Sequence, residues 1–247
     1  MFSLPSTTDS TQYFGLGDTT NGYFVGYQGT SFGILRRYGG VRCIWTLTLT
    51  AAATSGGTIT VTIDGTDYSG ITVSASAHIG TTAQEIAAAS ITGWHLSANG
   101  TTVIFGSHAS HNRTGTFAIG NVGGTGVAGA FVQVVVGVAP TDDFVPQTAW
   151  NIGRLDGVRS AFNPTGVLAN WQYGNVIQIQ MQWLGFGAVT VSVEQANTGV
   201  MQPVHRFQYA NSATTTSITR PSNHLSGQVI MHDNNMCTFI LRNMLLG

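Results

Sequence analysis

The chain is 247 residues long, contains no lysine, and sets nine arginines against ten Asp and Glu for a formal net charge of −1. Charged residues make up 8% of it, where an ordinary soluble domain has about 25%, while a 43% hydrophobic content is ample for a core. That balance excludes a disordered chain, and without a basic stripe there is no electrostatic footprint for nucleic acid. A surface of hydroxyls and amides has little self-repulsion, which suits a subunit packed against neighbours. A genome that trades Lys for Arg is the plainer source of the missing lysine, but it does not explain the shortage of Asp and Glu.

The start, Met1-Phe2-Ser3-Leu4-Pro5, turns polar by Ser6. It reads as neither the charged n-region nor the apolar h-region of a signal peptide, so folding in a cytosol is expected. Residues 22–27 and 31–38 read as a hairpin around Gln28-Gly29-Thr30. In Trp45-Thr46-Leu47-Thr48-Leu49-Thr50 apolar residues alternate with threonine, the period of a strand with one buried face. Residues 58–63 and a run ending at Ile71-Thr72-Val73 flank Asp64-Gly65, and Asn99-Gly100 separates His95-Leu96 from residues 102–105. Both dipeptides accept the positive φ angles of tight hairpin turns. Between them the spacing predicts a helix over 83–91, with Thr82 and Glu85 as a capping box and Ala87-Ala88-Ala89 as its body.

A further strand is predicted at 131–136, after a Gly-rich loop at 120–129. Ile177-Gln178-Ile179-Gln180-Met181-Gln182-Trp183 alternates again and leaves a ladder of glutamine on its open face. Val189, Val191 and Val193 do the same against Thr190, Ser192 and Glu194, across Leu184-Gly185-Phe186-Gly187. The chain therefore reads as mainly β: a jelly-roll-like β-sandwich from residues 1–44 plus 141–247, with a small α+β (ββαββ) module inserted over 45–140. No apolar run approaches the about 20 residues that cross a bilayer, so no membrane insertion is expected. Cys43 and Cys237 lie in strand-like segments and read as two buried thiols, a disulfide between them being the alternative.

No constellation for catalysis emerges. Gly29-Thr30-Ser31-Phe32-Gly33 spells G-x-S-x-G, but strand continues through Ile34 to Tyr38 where a nucleophile elbow needs a helix. His108 and His111 sit in a polar loop, with His78 and His95 elsewhere in the module, and no Cys or carboxylate set completes a metal site. His232-Asp233 is weaker still. Glu85 and Glu194 are the only glutamates, and Asp142-Asp143 would point to opposite sides of a strand. The loop at 120–126 lacks both a following helix and a P-loop lysine, and without lysine there is no Schiff-base chemistry. Asn99-Gly100-Thr101 and Asn112-Arg113-Thr114 spell glycosylation sequons of the kind that arise by chance in such a composition. An enzyme is not expected, and no cofactor or metal is implied. Among the aromatics near turns and strand ends, Tyr23, Tyr27, Trp150, Trp171 and Tyr173 are candidate interface or ligand contacts, with core packing as the plainer alternative.

Two stretches carry a resemblance. Residues 21–37, and residues 180–187 continuing through Glu194-Gln195-Ala196-Asn197-Thr198-Gly199 to Val204-His205-Arg206-Phe207-Gln208-Tyr209-Ala210-Asn211, resemble β-rich virion structural proteins of tailed phages and large double-stranded DNA viruses. The inserted module is similar to small domains that decorate phage tail and capsid proteins. The resemblance implies a minor capsid, decoration or tail/spike-base role in a virion assembled in host cytoplasm. Its partners would be copies of itself and other virion proteins. Binding of a host-surface glycan or receptor is the alternative. It carries over no catalytic residue, and the absence of a fibre-shaft repeat favours a compact component over a long fibre.

Overall fold

The computed structural model describes residue 2, residues 10–120, 123–182, 187–195 and 198–210, and the backbone of 227–232. Strands β1 (Thr11–Gly17), β2 (Gly22–Gln28) and β3 (Ser31–Tyr38) come first. They are followed by β4 (Ile44–Ala51), β5 (Gly57–Ile63), β6 (Thr66–Val73), helix α1 (Ile79–Ala87), β7 (Trp94–Asn99), β8 (Thr102–Ser107), β9 (Ala118–Ile119) and β10 (Ala128–Val135). Then come β11 (Thr141–Pro146), β12 (Ile177–Met181), β13 (Val189–Glu194), β14 (Met201–Phe207) and β15 (Gly227–His232). The fold is mainly β, with antiparallel sheets and one short helix.

The chain divides into two compact units, Met1–Gly39 with Thr141–Gly247, and Gly40–Pro140. The first junction falls at Gly39/Gly40 rather than 44/45. Val41 already exchanges backbone hydrogen bonds with Val138 (2.9 and 2.8 Å), and Ile44 opens β4.

In the first unit the strand order is β11-β3-β2-β1-β15 in one sheet and β12-β13-β14 in the other. Tyr23, Val25, Phe32 and Ile34 from the larger sheet meet Val189, Val191, Val193 and Val204 from the smaller one in a shared core, the arrangement of a β-sandwich. Each such side chain contributes about 1.5–3 kcal/mol by leaving water. The chain passes from the larger sheet to the smaller between β11 and β12 and returns between β14 and β15, where β15 pairs beside β1. Strand β2 departs from simple alternation because both its faces are buried: Phe24 packs with Tyr13 and Leu35 on the side away from Tyr23 and Val25. Gly26 lies between Tyr13 and Gly33, with φ +158°, and a Cβ there would strike the Gln12 carbonyl. Asp18 fixes the β1–β2 turn, its Oδ1 accepting from the Thr20 and Asn21 backbone N–H groups at 2.7 and 3.0 Å.

The second unit has sheets β10-β4-β8-β7 and β6-β5-β9. Leu47, Leu49, Val103 and Phe105 face Ile59, Val61, Ile71 and Val73, with Ala83 and Ile86 of α1 joining the same core. Asp64 (φ +53°) and Gly65 (φ +80°) make the β5–β6 turn, and the Arg113 guanidinium donates to the Asp64 carboxylate at 3.0 Å. The helix starts earlier than its sequence signals predict. Its N-cap position is His78, without a side-chain cap, and Thr82 and Glu85 lie inside it. Both polar groups are taken by tertiary contacts: Thr82 Oγ1 accepts from Ala53 N–H at 3.1 Å, and Glu85 Oε2 from Ser74 N–H at 3.0 Å. Cys43 is buried in this unit, while Cys237 lies outside the described residues.

Candidate functional site

Four of the five aromatics considered as contacts are core residues of the first unit. Tyr23, Tyr27, Trp150 and Trp171 are all buried, so they cannot serve as open platforms for a ligand. Trp171 stacks on Phe32 with ring centroids 3.9 Å apart, and Trp150 meets Trp171 edge-on. Their indole N–H groups are satisfied internally, Trp171 donating to Gln147 Oε1 (3.1 Å) and Trp150 to the Val145 carbonyl (3.3 Å). Tyr173 alone stands out, 70% exposed.

At one end of that core sits a polar cluster. The hydroxyls of Tyr23 and Tyr209 share a 2.6 Å hydrogen bond, and the Arg36 guanidinium lies 4.1 Å from the Tyr38 ring centre and 5.0 Å from that of Tyr209. Burial holds both phenols above the usual tyrosine range, and for Tyr23 the neighbouring Tyr209 adds to it. His205 belongs to the same region: burial depresses its pKa to about 4, against a smaller opposing pull from Asp143. Its Nδ1 accepts from Asn151 N–H at 3.3 Å. A neutral histidine, two high-pKa phenols and an aromatic-stacked arginine form a locked packing unit, with no group poised to give or take a proton near neutrality.

The other candidates are dispersed. Ser31 is exposed at the hairpin mouth, where it pairs with Gln28 and β3 follows directly. His78, His95, His108 and His111 are exposed, and among the described residues no three His, Cys, Asp or Glu side chains gather as a metal set. Asp142 forms a two-point ion pair with Arg37 (2.7 Å at each contact), which raises the Arg37 pKa. Asp143 acts instead on His205 and Tyr209, so the two aspartates do serve opposite faces. Asn121, Val122, Trp183 to Phe186 and Asp233 lie outside the described residues, and for His232 only the backbone strand is described.

Two open sheet faces remain. On β12-β13-β14 the outward residues form three cross-strand rows: Gln182–Ala188, Gln180–Thr190–Arg206 and Gln178–Ser192–Pro203. All of these except Gln178, together with Gln208, line a trough of about 490 Å³. The register slips between Val191 and Ser192, a bulge that turns Arg206 and Pro203 relative to one another.

The second open face is that of β10-β4-β8-β7, with rows Ala130–Thr48–Thr102–Asn99 and Val132–Thr46–Ile104–Ser97. It carries no Asp, Glu or Arg in those rows. Val132 and Val134 on the edge strand are 56% and 57% exposed.

No protein-family model matches the chain, nor does any curated protein or solved structure. The functional reading therefore stands on these surfaces and on the sequence. The glutamine ladder was legible in the alternation of 177–183. Arg206 carries no such local signal, because its place opposite Thr190 depends on strand pairing. His205 gave no signal beyond its neighbours Val204 and Phe207.

Proposed function

We propose that the protein is a structural subunit of a viral particle. It acts by burying complementary surface against copies of itself and neighbouring particle proteins. Strand β10 is the observation that carries this reading. It is an edge strand, with no strand paired to its far side among the described residues, and it exposes Ala128, Ala130, Val132 and Val134. Between Arg113 and Asp142 the sequence has no charged residue at all. Soluble proteins blunt such edges with lysine, proline or inward charge, because an unprotected apolar edge invites another strand. An edge left bare in this way is suited to being covered in the assembled state. A face without charge also suits a second copy, since identical faces then meet without repulsion. The virion setting is supported by the resemblance at 21–37 and 180–211.

Light scattering across a concentration series tests the reading. A fixed oligomer is expected, and the double substitution Val132→Glu, Val134→Glu should dissociate it while leaving the circular dichroism spectrum intact. A wild-type monomer that stays monomeric at high concentration and does not join particles refutes it. Receptor binding through Tyr23, Tyr27, Trp150 and Trp171 is not retained, because these rings are internal.

A further inference from the structure

We infer that the open face of β12-β13-β14 is a binding site for a carboxylate-bearing saccharide. The trough of about 490 Å³ falls within the range of about 300–1,000 Å³ typical of small-molecule sites. Among the described residues Arg206 is the one charged residue lining it. Its Nε donates to Thr190 Oγ1 at 3.2 Å, which orients the guanidinium over the middle row. The Asn151 amide holds the Arg206 backbone on both sides, its Oδ1 accepting from Arg206 N–H and its Nδ2 donating to the Arg206 carbonyl, each at 2.9 Å. The outer guanidinium N–H groups have no partner among the described residues. An arginine so held, with no carboxylate beside it among the described residues, presents the planar fork that binds an incoming carboxylate at two points.

The rest of the lining selects the body of the ligand. Ser192 is only 5% exposed, yet it lines the trough and its hydroxyl has no partner among the described residues. Its oxygen opens onto the trough, where it can give and accept a ligand hydrogen bond. The Gln180 side chain beside it is free among the described residues to donate and accept at once, as vicinal sugar hydroxyls require. Gln182 is partly committed, its Oε1 accepting from Ala188 N–H at 3.0 Å, which leaves its NH2 as a donor. Among the described lining residues a single cation is too few for a polyphosphate, and the Gln, Thr and Ser side chains offer no aliphatic pocket for a peptide. The inference stands apart from the assembly reading and concerns a different surface from β10.

The test is titration of the full chain with N-acetylneuraminic acid and with D-glucuronic acid, followed by saturation-transfer NMR and backbone amide shifts, with D-galactose as the neutral control. One of the two acids should bind with a Kd on the order of 0.1–1 mM, galactose about tenfold more weakly or not at all. Arg206→Gln should weaken acid binding by about tenfold or more, and Ser192→Ala by about threefold. The Arg206 side chain makes a single hydrogen bond at the surface, so Arg206→Gln should fold with an unchanged amide spectrum away from the trough. No transfer to either acid at about 10 mM, equal binding of galactose, or acid binding indifferent to Arg206→Gln would each overturn the assignment.

Discussion

The buried histidine on β14 makes the stability of the first unit pH-dependent in a direction that can be worked out. His205 is 6% exposed, lies edge-on to Phe207 with ring centres 4.6 Å apart, and uses Nδ1 as an acceptor for Asn151 N–H. Burial lowers its pKa from 6.5 to about 4, with Asp143 the charged neighbour opposing that drop. The unfolded chain therefore takes up this proton first. The stability associated with the neutral ring is complete above about pH 6.5 and is lost progressively as the pH falls toward about 4. The full difference corresponds to about 3 kcal/mol, and relaxation of the surroundings around the charged ring reduces it to about 1–2 kcal/mol.

Urea unfolding at a series of pH values between about 7.5 and about 4 measures the loss. Carboxylates titrate in the lower part of that window, so the informative quantity is the difference from His205→Gln, which keeps an acceptor for Asn151 but does not titrate. Wild type should lose about 1–2 kcal/mol more than the variant across the window. Parallel curves for the two proteins would refute the argument that burial holds this histidine neutral.

The remaining expectations concern packing and local geometry. Phe32→Ala removes the ring stacked on Trp171 and edge-on to Phe2, Tyr27 and Trp150, and should cost about 3–5 kcal/mol in chemical denaturation. A loss below about 1 kcal/mol would mean the sandwich collapses around the gap. Gly26→Ala places a Cβ against the Gln12 carbonyl at a φ that side chains rarely adopt, so its melting temperature should fall more than that of an Ala substitution at exposed Gly174, where no neighbour lies within contact range. Equal melting temperatures would show that β1 shifts freely. Thr82→Val keeps the shape of the buried side chain but removes the acceptor for Ala53 N–H, with an expected cost of about 1–3 kcal/mol. An unchanged stability would show that this amide finds another acceptor.

Local chemistry alone determined much of this protein. Alternation of Leu47 and Leu49 with threonine, and of Val189, Val191 and Val193 with polar neighbours, specifies which face of a strand is buried, because side chains in extended backbone alternate by geometry. Asp64-Gly65 and Asn99-Gly100 mark tight turns for an equally local reason, their tolerance of positive φ. The composition and the glutamine ladder were likewise legible without any fold. What depends on distant residues was not. Thr82 and Glu85 have the spacing of a helix cap, yet the helix begins at Ile79 because its Ala83–Ile86 face packs on the core, and their polar groups are taken by Ala53 and Ser74. Tyr23, Tyr27, Trp150 and Trp171 fall near turns in the chain, but two sheets close over them. Arg206 meets Thr190 and Gln180, and β10 is left as an uncovered edge, only through the order in which strands pair. That order is set by burial summed over the whole chain, a quantity no window of sequence contains.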